Sequence, residues 1–580
     1  MVEVIYLICS FYILTHSVFA QINCTRTFHS AVINNGTLFI DGGEMHTIWP
    51  NKTITGAAIS DLESIDLTRS WLNTDPDLFN YIQKPYSNHT GEYPPFLNEG
   101  ASWSDGQNLY FYGGYSSGLG GPPVPPLGTW KYNIAANSWT SKGFSGVPLV
   151  RLCQGGAVQG SGKAYYLSGT LNPAGNPIFY GTPGADTYMD SGLISLDMHT
   201  MEWTNISTAD MNTWGTIGDG YVSLLESAGD QGVIVAFGGY TYPVGKTLSF
   251  LAFRQNDTIN QNSMELVRVY DIGKQKWYTQ RTSGDIPRWR MSGCTVTAAA
   301  QDLSSYSIYI FGGMAPTTDE SDGNIYVLSI PSFRWIRVYD DNTVRIKHKC
   351  LLAQKSTMLV IGGIIPVTNR EYDPLAQNCD SAAFANGIGI FDLYTLSWMS
   401  NYNASKNEAY RIPSKISDVI GGTTIGGATM VEPYHGFNST DMKDIFKKRT
   451  HIATPQPSTA IANNTSTPSN TGGGSLSGGR IAGVIIGSVA GVAMLGFLAL
   501  IIVRRRKAKV ARRDAISGDK DTLELRRAAD DRPKELYGDE PHVSELRGEG
   551  DLIHFELPAE SLPAEMATDR SRRGSLRPHT

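Results

Sequence analysis

Six times along the chain a short run of apolar and aromatic residues ends in a pair of small ones: LFIDGG at 38–43, LYFYGG at 109–114, YYLSG at 165–169, VAFGG at 235–239, YIFGG at 309–313 and LVIGG at 359–363. These runs are too short for helices and too continuous for strands with one wet face, so they predict strands buried on both faces. The double glycine predicts a turn with positive φ or a backbone packed closely against a neighbour. Each run is followed by a second signature closing on tryptophan, as in IDLTRSW ending at Trp71 and YDIGKQKW ending at Trp277; the others end at Trp139, Trp203, Trp335 and Trp398. The six recur every 58 to 74 residues. A Trp in register is large enough to fill the wedge between adjacent sheets, and no repeat of this size buries both faces alone, so the array must close on itself.

The pattern resembles the kelch repeat over residues 26–400. That resemblance implies an all-β fold, a kelch-type β-propeller whose four-stranded blades surround a channel. Six blades are expected; a seventh, degenerate blade at 72–100 or 399–432 stays open, as does the strand that closes the ring. The third repeat departs, with Ser168-Gly169 for the glycine pair, and the extra length predicts long loops at 172–191 and 240–263.

A different pattern runs from Ile481 to Val503: twenty-three apolar or small residues without a charge, enough for a helix to cross roughly 30 Å of hydrocarbon. Seven of the next ten residues are Lys or Arg, which orients the C-terminal side to the cytoplasm. The N-terminus supports this, with an apolar run from Val4 to Val18 and a small-residue cleavage pattern ending at Ala20, although its leading segment has Glu3 and no basic residue. Residues 1–20 therefore read as a signal peptide and 21–446 as an extracellular propeller. Residues 447–480 read as a Ser/Thr/Gly-rich stalk, 481–503 as a transmembrane helix and 504–580 as a disordered cytoplasmic tail. With IGGTTIGGAT at 420–429, the whole layout is similar to that of fungal single-pass membrane kelch proteins.

Glycosylation sequons at Asn23, Asn35, Asn51, Asn88, Asn205, Asn256, Asn403, Asn438, Asn463 and Asn464 all precede the span, and no Asn follows it. The outer part carries 31 Lys and Arg against 37 Asp and Glu, which excludes nucleic-acid binding by charge. Once Cys9 leaves with the signal, five cysteines remain, an odd number that requires at least one free or intermolecular thiol. Cys350 and Cys379 flank one apolar strand and are the preferred disulfide.

Arg26, Arg151, Arg290 and Arg345 each precede the strand that begins a repeat. In the kelch domains of ubiquitin-ligase adaptors, similarly placed arginines line the channel mouth and grip acidic peptides, so the resemblance implies a ligand surface here. The structural alternative is that they bridge blades through buried carbonyls or carboxylates. Some kelch propellers are copper radical oxidases that need a Cys cross-linked to a Tyr, a second Tyr and two His. Here Tyr434-His435 is the only such pair and lies beyond the last repeat, while His29 and His348 are the only histidines at repeat starts. No cofactor, metal or catalytic residue is therefore expected.

Gly483, Gly487 and Gly491 lie on one face of the span and suit close packing of two spans as a dimer. Lys447-Lys448-Arg449 is a candidate processing site, and Ser575 in RRGSL fits a basophilic-kinase pattern. The expected function is a type I plasma-membrane protein, not an enzyme, that binds a protein or cell-wall glycan; the alternative is a structural cell-wall-contact protein without a discrete ligand.

Overall fold

The computed structural model describes residues 22–49, 53–85, 93–144, 149–176, 187–248, 260–315, 323–341, 344–365, 382–406 and 408–447. The signal peptide, Asn51, Asn88, Asn256, Asn463, Asn464, Cys379, the span with Gly483, Gly487 and Gly491, and Ser575 lie outside them. Among the described residues no helix is long and apolar enough to cross a membrane.

Five blades stand as separate antiparallel sheets. Blade I is Ser30–Asn34, Thr37–Asp41, Leu62–Asp66 and Asn80–Ile82; blade II is Asn98–Ser104, Asn108–Tyr115, Thr129–Asn133 and Ser138–Lys142. Blade III is Gly156–Gly160, Lys163–Leu171, Tyr188–Asp197 and Glu202–Ile206; blade IV is Tyr221–Leu225, Val233–Phe237, Leu266–Asp271 and Lys276–Arg281. Blade V is Cys294–Ala299, Tyr306–Phe311, Ile325–Ile330 and Arg334–Tyr339, with Ser283–Gly284 added at its outer edge. The sixth repeat, here blade VI (Ile346–Ala353, Thr357–Ile364, Ile388–Asp392, Ser397–Met399), is merged with Ile22–Thr27, Glu44–Ile48 and Ile54–Ala58 into a seven-stranded sheet. The expectation of six separate blades is corrected to five plus this fused set, because Arg26 of the N-terminal strand pairs with Gly363. The first strands of the blades are neighbours around a closed ring, from I to VI and back to I.

The two signatures build the ring as their chemistry demands. The apolar runs are second strands, buried along their whole length in Val233–Phe237, Tyr306–Phe311 and Thr357–Ile364. Their glycine pairs all have positive φ, and Ser168 adopts it as well. A Cβ on Gly312 would lie 2.2 Å from the Arg345 carbonyl, and one on Gly113 would lie 2.4 Å from that of Leu152. In each case the contact is to the chain entering the next blade. The following amide then docks: Gly313 N–H donates to Arg345 O (2.8 Å), Gly114 to Leu152 O (2.7 Å) and Gly239 to Arg290 O (2.9 Å).

Six apolar cores occupy the six junctions, and each holds one of the repeating tryptophans. Trp203 packs with Tyr112 and Tyr166 between blades II and III, Trp335 with Phe237 between IV and V, and Trp398 with Phe311 and Phe391 between V and VI. Trp71 departs from the pattern. It lies in the two-residue strand Trp71–Leu72, pairs with Tyr402 at the VI–I junction and stacks on its ring at 4.9 Å, while Asn80–Ile82 serves as blade I's outer strand.

Residues 403–447 form a strap over the turn end of the ring. Helix α1 (Ser414–Ile420) buries Ile416 and Ile420 against blades V and VI. The IGGTTIGGAT stretch docks on the first turn of blade V, where Gly427 N–H donates to Asp302 Oδ2 (2.7 Å). Helix α2 (Thr440–Lys447) inserts Met442, Ile445 and Phe446 beside Phe333. Among the described residues, neither stretch left open for a seventh blade forms one.

Replacing Trp335 by Ala should cost about 3–5 kcal/mol, since a fully buried aromatic is lost from a junction that blades IV and V share. A fall in the denaturant midpoint equivalent to less than about 1 kcal/mol would contradict the wedge role.

Candidate functional site: a channel closed at one end

One residue stands at or just before the start of the first strand of each blade: Phe28, Glu99, Gln154, Asp219, Ser292 and Lys347. Although none is glycine, all six have φ between 49° and 63°. Backbone bonds around the ring hold this unfavourable conformation: Glu99 N–H donates to Phe28 O (2.6 Å), Asp219 to Gln154 O (2.7 Å), Ser292 to Asp219 O (2.8 Å) and Lys347 to Ser292 O (2.9 Å). All six line one small chamber of about 60 Å³ at the axis.

Across this chamber lies an ionic bar. Lys347 Nζ donates to Glu99 Oε1 (2.5 Å) and to Asp219 Oδ1 and Oδ2 (both 2.9 Å). Burial alone would lower the Lys347 ammonium, but the two carboxylates outweigh it and the net shift is upward. Burial raises the Glu99 carboxyl against the pull of Lys347. The bar joins blades II, IV and VI and seals the channel at the end where the glycine pairs lie.

Beyond the bar the channel widens to about 570 Å³. Its lining descends from Glu226, exposed at the turn end, to Gly100, Gly155, Gly220 and Gly293 just above the bar. Lys349, two residues after Lys347 on the same strand, lines both spaces. Burial lowers its ammonium, partly offset by Glu99.

The four predicted arginines do not form a mouth. They are 1–6% exposed. Arg26 is ion-paired with Glu63, and Arg151 donates to Pro125 O (2.8 Å) with its guanidinium pushed down to about 10 by burial. Arg290 lies over the Tyr326 ring, and Arg345 donates to the Gly362 and Gly363 carbonyls (2.9 and 3.1 Å) above the Phe384 ring. Arg26 and Arg151 reach a neighbouring blade, Arg290 and Arg345 pack within blades V and VI, and none lines an open mouth, so the ligand-mouth expectation is corrected.

The disulfide expectation is corrected too. Cys350 bonds to Cys294, its counterpart on the first strand of blade V, and not to Cys379. Cys24 is also disulfide-bonded, and Cys153 is a buried free thiol against Thr170. Cys294, Cys350 and His348 form the one trio of potential metal ligands among the described residues, but both of its sulfurs are already joined to each other. His348 Nε2 sits 3.2 Å from Phe311 O, and burial with the neighbouring Arg345 pushes its imidazole down to about 3. His29 is buried against Gly362, and Tyr434 and His435 touch each other on the exposed strap. The histidines and this Tyr–His pair therefore lie on different elements. Asn35, Asn205, Asn403 and Asn438 are exposed; Asn23 lies in the strand Ile22–Thr27.

With the geometry in hand, comparison with known proteins gives one informative relative. A kelch repeat-containing protein of Arthroderma benhamiae (strain ATCC MYA-4681 / CBS 112371) is 29% identical over 538 residues, spanning 83% of this chain and 74% of the relative. No family profile matches the chain. A solved structure titled "Structure of YjhT" covers 66% of this chain and 99% of its own at 14% identity and a TM-score of 0.39, a likeness too low to carry an argument. The relative and the propeller fold together support the kelch propeller family.

Two outcomes are expected. Lys347→Met leaves two buried carboxylates unpaired and should cost about 3–5 kcal/mol, with part recovered when Glu99→Gln and Asp219→Asn are added; an unchanged unfolding midpoint would refute the bar. His348 stays neutral when folded but takes up a proton near pH 6.5 when unfolded. Its contribution is therefore complete above pH 6.5 and is lost below it, by about 1.4 kcal/mol per pH unit down to its folded value. Wild type should accordingly lose about 2 kcal/mol more than His348→Gln between pH 7 and 5, read from paired denaturant titrations.

Proposed function

We propose that this kelch-type propeller is a non-catalytic binding module held at a fungal cell surface by a single type I span, and that the end of a protein or glycan ligand enters its channel. The observation that carries the reading is the blind channel of about 570 Å³. A passage sealed at one end by Lys347, Glu99 and Asp219 and lined with polar groups suits reception of a ligand end rather than transit. The propeller fold and the kelch relative support binding as the general role.

Membrane attachment rests on residues 1–20, the sequons and Ile481 to Val503, read as a secretory signal, glycan acceptors and a span with its basic flank inside. The non-catalytic reading is supported by the separation of the groups that an oxidase would bring together. Cys153 is hydrogen-bonded to Thr170 and Tyr434 is exposed on the strap, apart from His29 and His348, which both line the chamber beside the bar.

The test uses the full-length glycosylated chain solubilised in detergent, presented to cell-wall polysaccharides and surface proteins, with copper measured on the same sample. Saturable capture without stoichiometric copper is expected. Absence of saturable capture would favour a structural wall contact, and one copper per chain would revive the oxidase.

A further inference from the structure

His348 stands where blades II to V carry glycine, at 100, 155, 220 and 293, so the ring itself does not demand an imidazole there. Its strand, Ile346–Ala353, places Cys350 two residues on and therefore on the same face, while Cys294 comes from the neighbouring first strand of blade V. The three form one cluster. An imidazole nitrogen of His348 and the two sulfurs all lie within 4.8 Å of one another, and all three residues line the channel of about 570 Å³. Phe311 holds the ring, with its carbonyl oxygen 3.2 Å from His348 Nε2 and its own ring edge-on at 5.2 Å. Backbone carbonyls commonly orient metal-binding histidines in this way.

With the two sulfurs bonded to each other, the trio offers no thiolate. Reduction changes what it can hold. A dithiol reductant gives two electrons to the Cys294–Cys350 bond and closes to its own cyclic disulfide, leaving two thiols whose protons pass to solvent when a cation binds. Two thiolates and an imidazole are a donor set that suits zinc, and they disfavour calcium and magnesium, which take oxygen ligands. Zinc–sulfur bonds of about 2.3 Å at tetrahedral angles put the sulfurs about 3.8 Å apart. The two Cα atoms, 5.4 Å apart, permit that separation by side-chain rotation. Two thiolate charges balance a divalent ion, as burial requires. Three protein ligands leave a fourth position, which water from the channel can fill.

We infer that Cys294, His348 and Cys350 form a redox-switched zinc site, closed to metal while the disulfide stands and binding one zinc ion, with an open position toward the channel, once it is reduced. The site goes beyond the reading of the propeller as a binding module and does not depend on it. In the reduced chain the metal takes over from the disulfide the joining of blades V and VI.

The full-length solubilised chain is reduced with dithiothreitol, freed of it by gel filtration under nitrogen, and titrated with zinc against a chelating indicator beside the untreated chain. Reduction should add one zinc ion per chain, with a Kd of about 1 µM or tighter. Cys294→Ser and Cys350→Ser should each weaken that ion about 100-fold or more, and His348→Gln about 10-fold or more. Cys153→Ser, which alters the free thiol outside the trio, should leave it unchanged. The inference is overturned if reduction adds no zinc, if the added ion persists in Cys294→Ser, or if His348→Gln binds as tightly as wild type. The last arm also exposes a reduced chain that has unfolded, since loose thiols take zinc whatever stands at 348. Copper in the untreated chain bears on the oxidase and not on this site, so the two readings fail separately.

Discussion

Everything in this ring depends on how closely one blade's backbone can approach the next. A four-stranded blade has two apolar faces and no means of covering either by itself, so its stability comes from its neighbours. The approach is set at the glycine pairs. At Gly312 the Arg345 carbonyl of the next blade occupies the place a side chain would take, and Gly313 donates to that same carbonyl. With the backbones this close at the axis, the blades splay outward and leave a wedge, which the tryptophans fill. The small residue near the axis and the large one farther out are two consequences of a single radial geometry.

The same closeness brings six left-handed residues to the axis, where their side chains meet. At an effective dielectric of about 20, each contact between Lys347 and a carboxylate at 2.9 Å is worth roughly 6 kcal/mol, while desolvation removes several kcal/mol per ion. The two effects are of similar size, so the bar adds little net stability even though breaking it is costly. Its main effect is spatial. It closes one end of a passage that the ring would otherwise leave open, and so turns a channel into a cavity with a floor.

What could be read in the sequence follows from the range of each signal. The glycine pairs and tryptophans lie within one repeat and recur, so strands, turns and ring were visible. The floor was not, because Phe28, Glu99, Gln154, Asp219, Ser292 and Lys347 share no chemistry; what they share is a backbone conformation. The arginines were recognised by position, but position alone does not tell an open mouth from a buried site, and their exposure of only 1–6% decides it. Cys294 and Cys350 are 56 residues apart and become neighbours only once first strands line up around the ring. A pairing drawn from residues flanking a single strand had no access to that alignment. Trp71 kept its place in the repeat but changed its strand partner, because Tyr402 competes for it across the seam.

That seam accounts for most departures from repeat regularity. Five junctions join blades that follow each other along the chain, while the sixth, between VI and I, must hold two blades separated by nearly the whole propeller. The irregular features gather around blade VI: the fused sheet through Arg26 and Gly363, the Trp71–Tyr402 stack, and histidines at 29 and 348 where the other blades have glycine at 100, 155, 220 and 293. The disulfide to blade V, closing a loop of 56 residues, is worth about 4 kcal/mol in the chain-entropy account. The disulfide braces blade VI against blade V, a junction that chain continuity also holds, while the fused sheet and the Trp71–Tyr402 stack hold it across the seam. Lys347 and Lys349 stand on the first strand of this same blade, so the residues that seal and line the cavity floor are anchored on the most heavily braced strand in the ring.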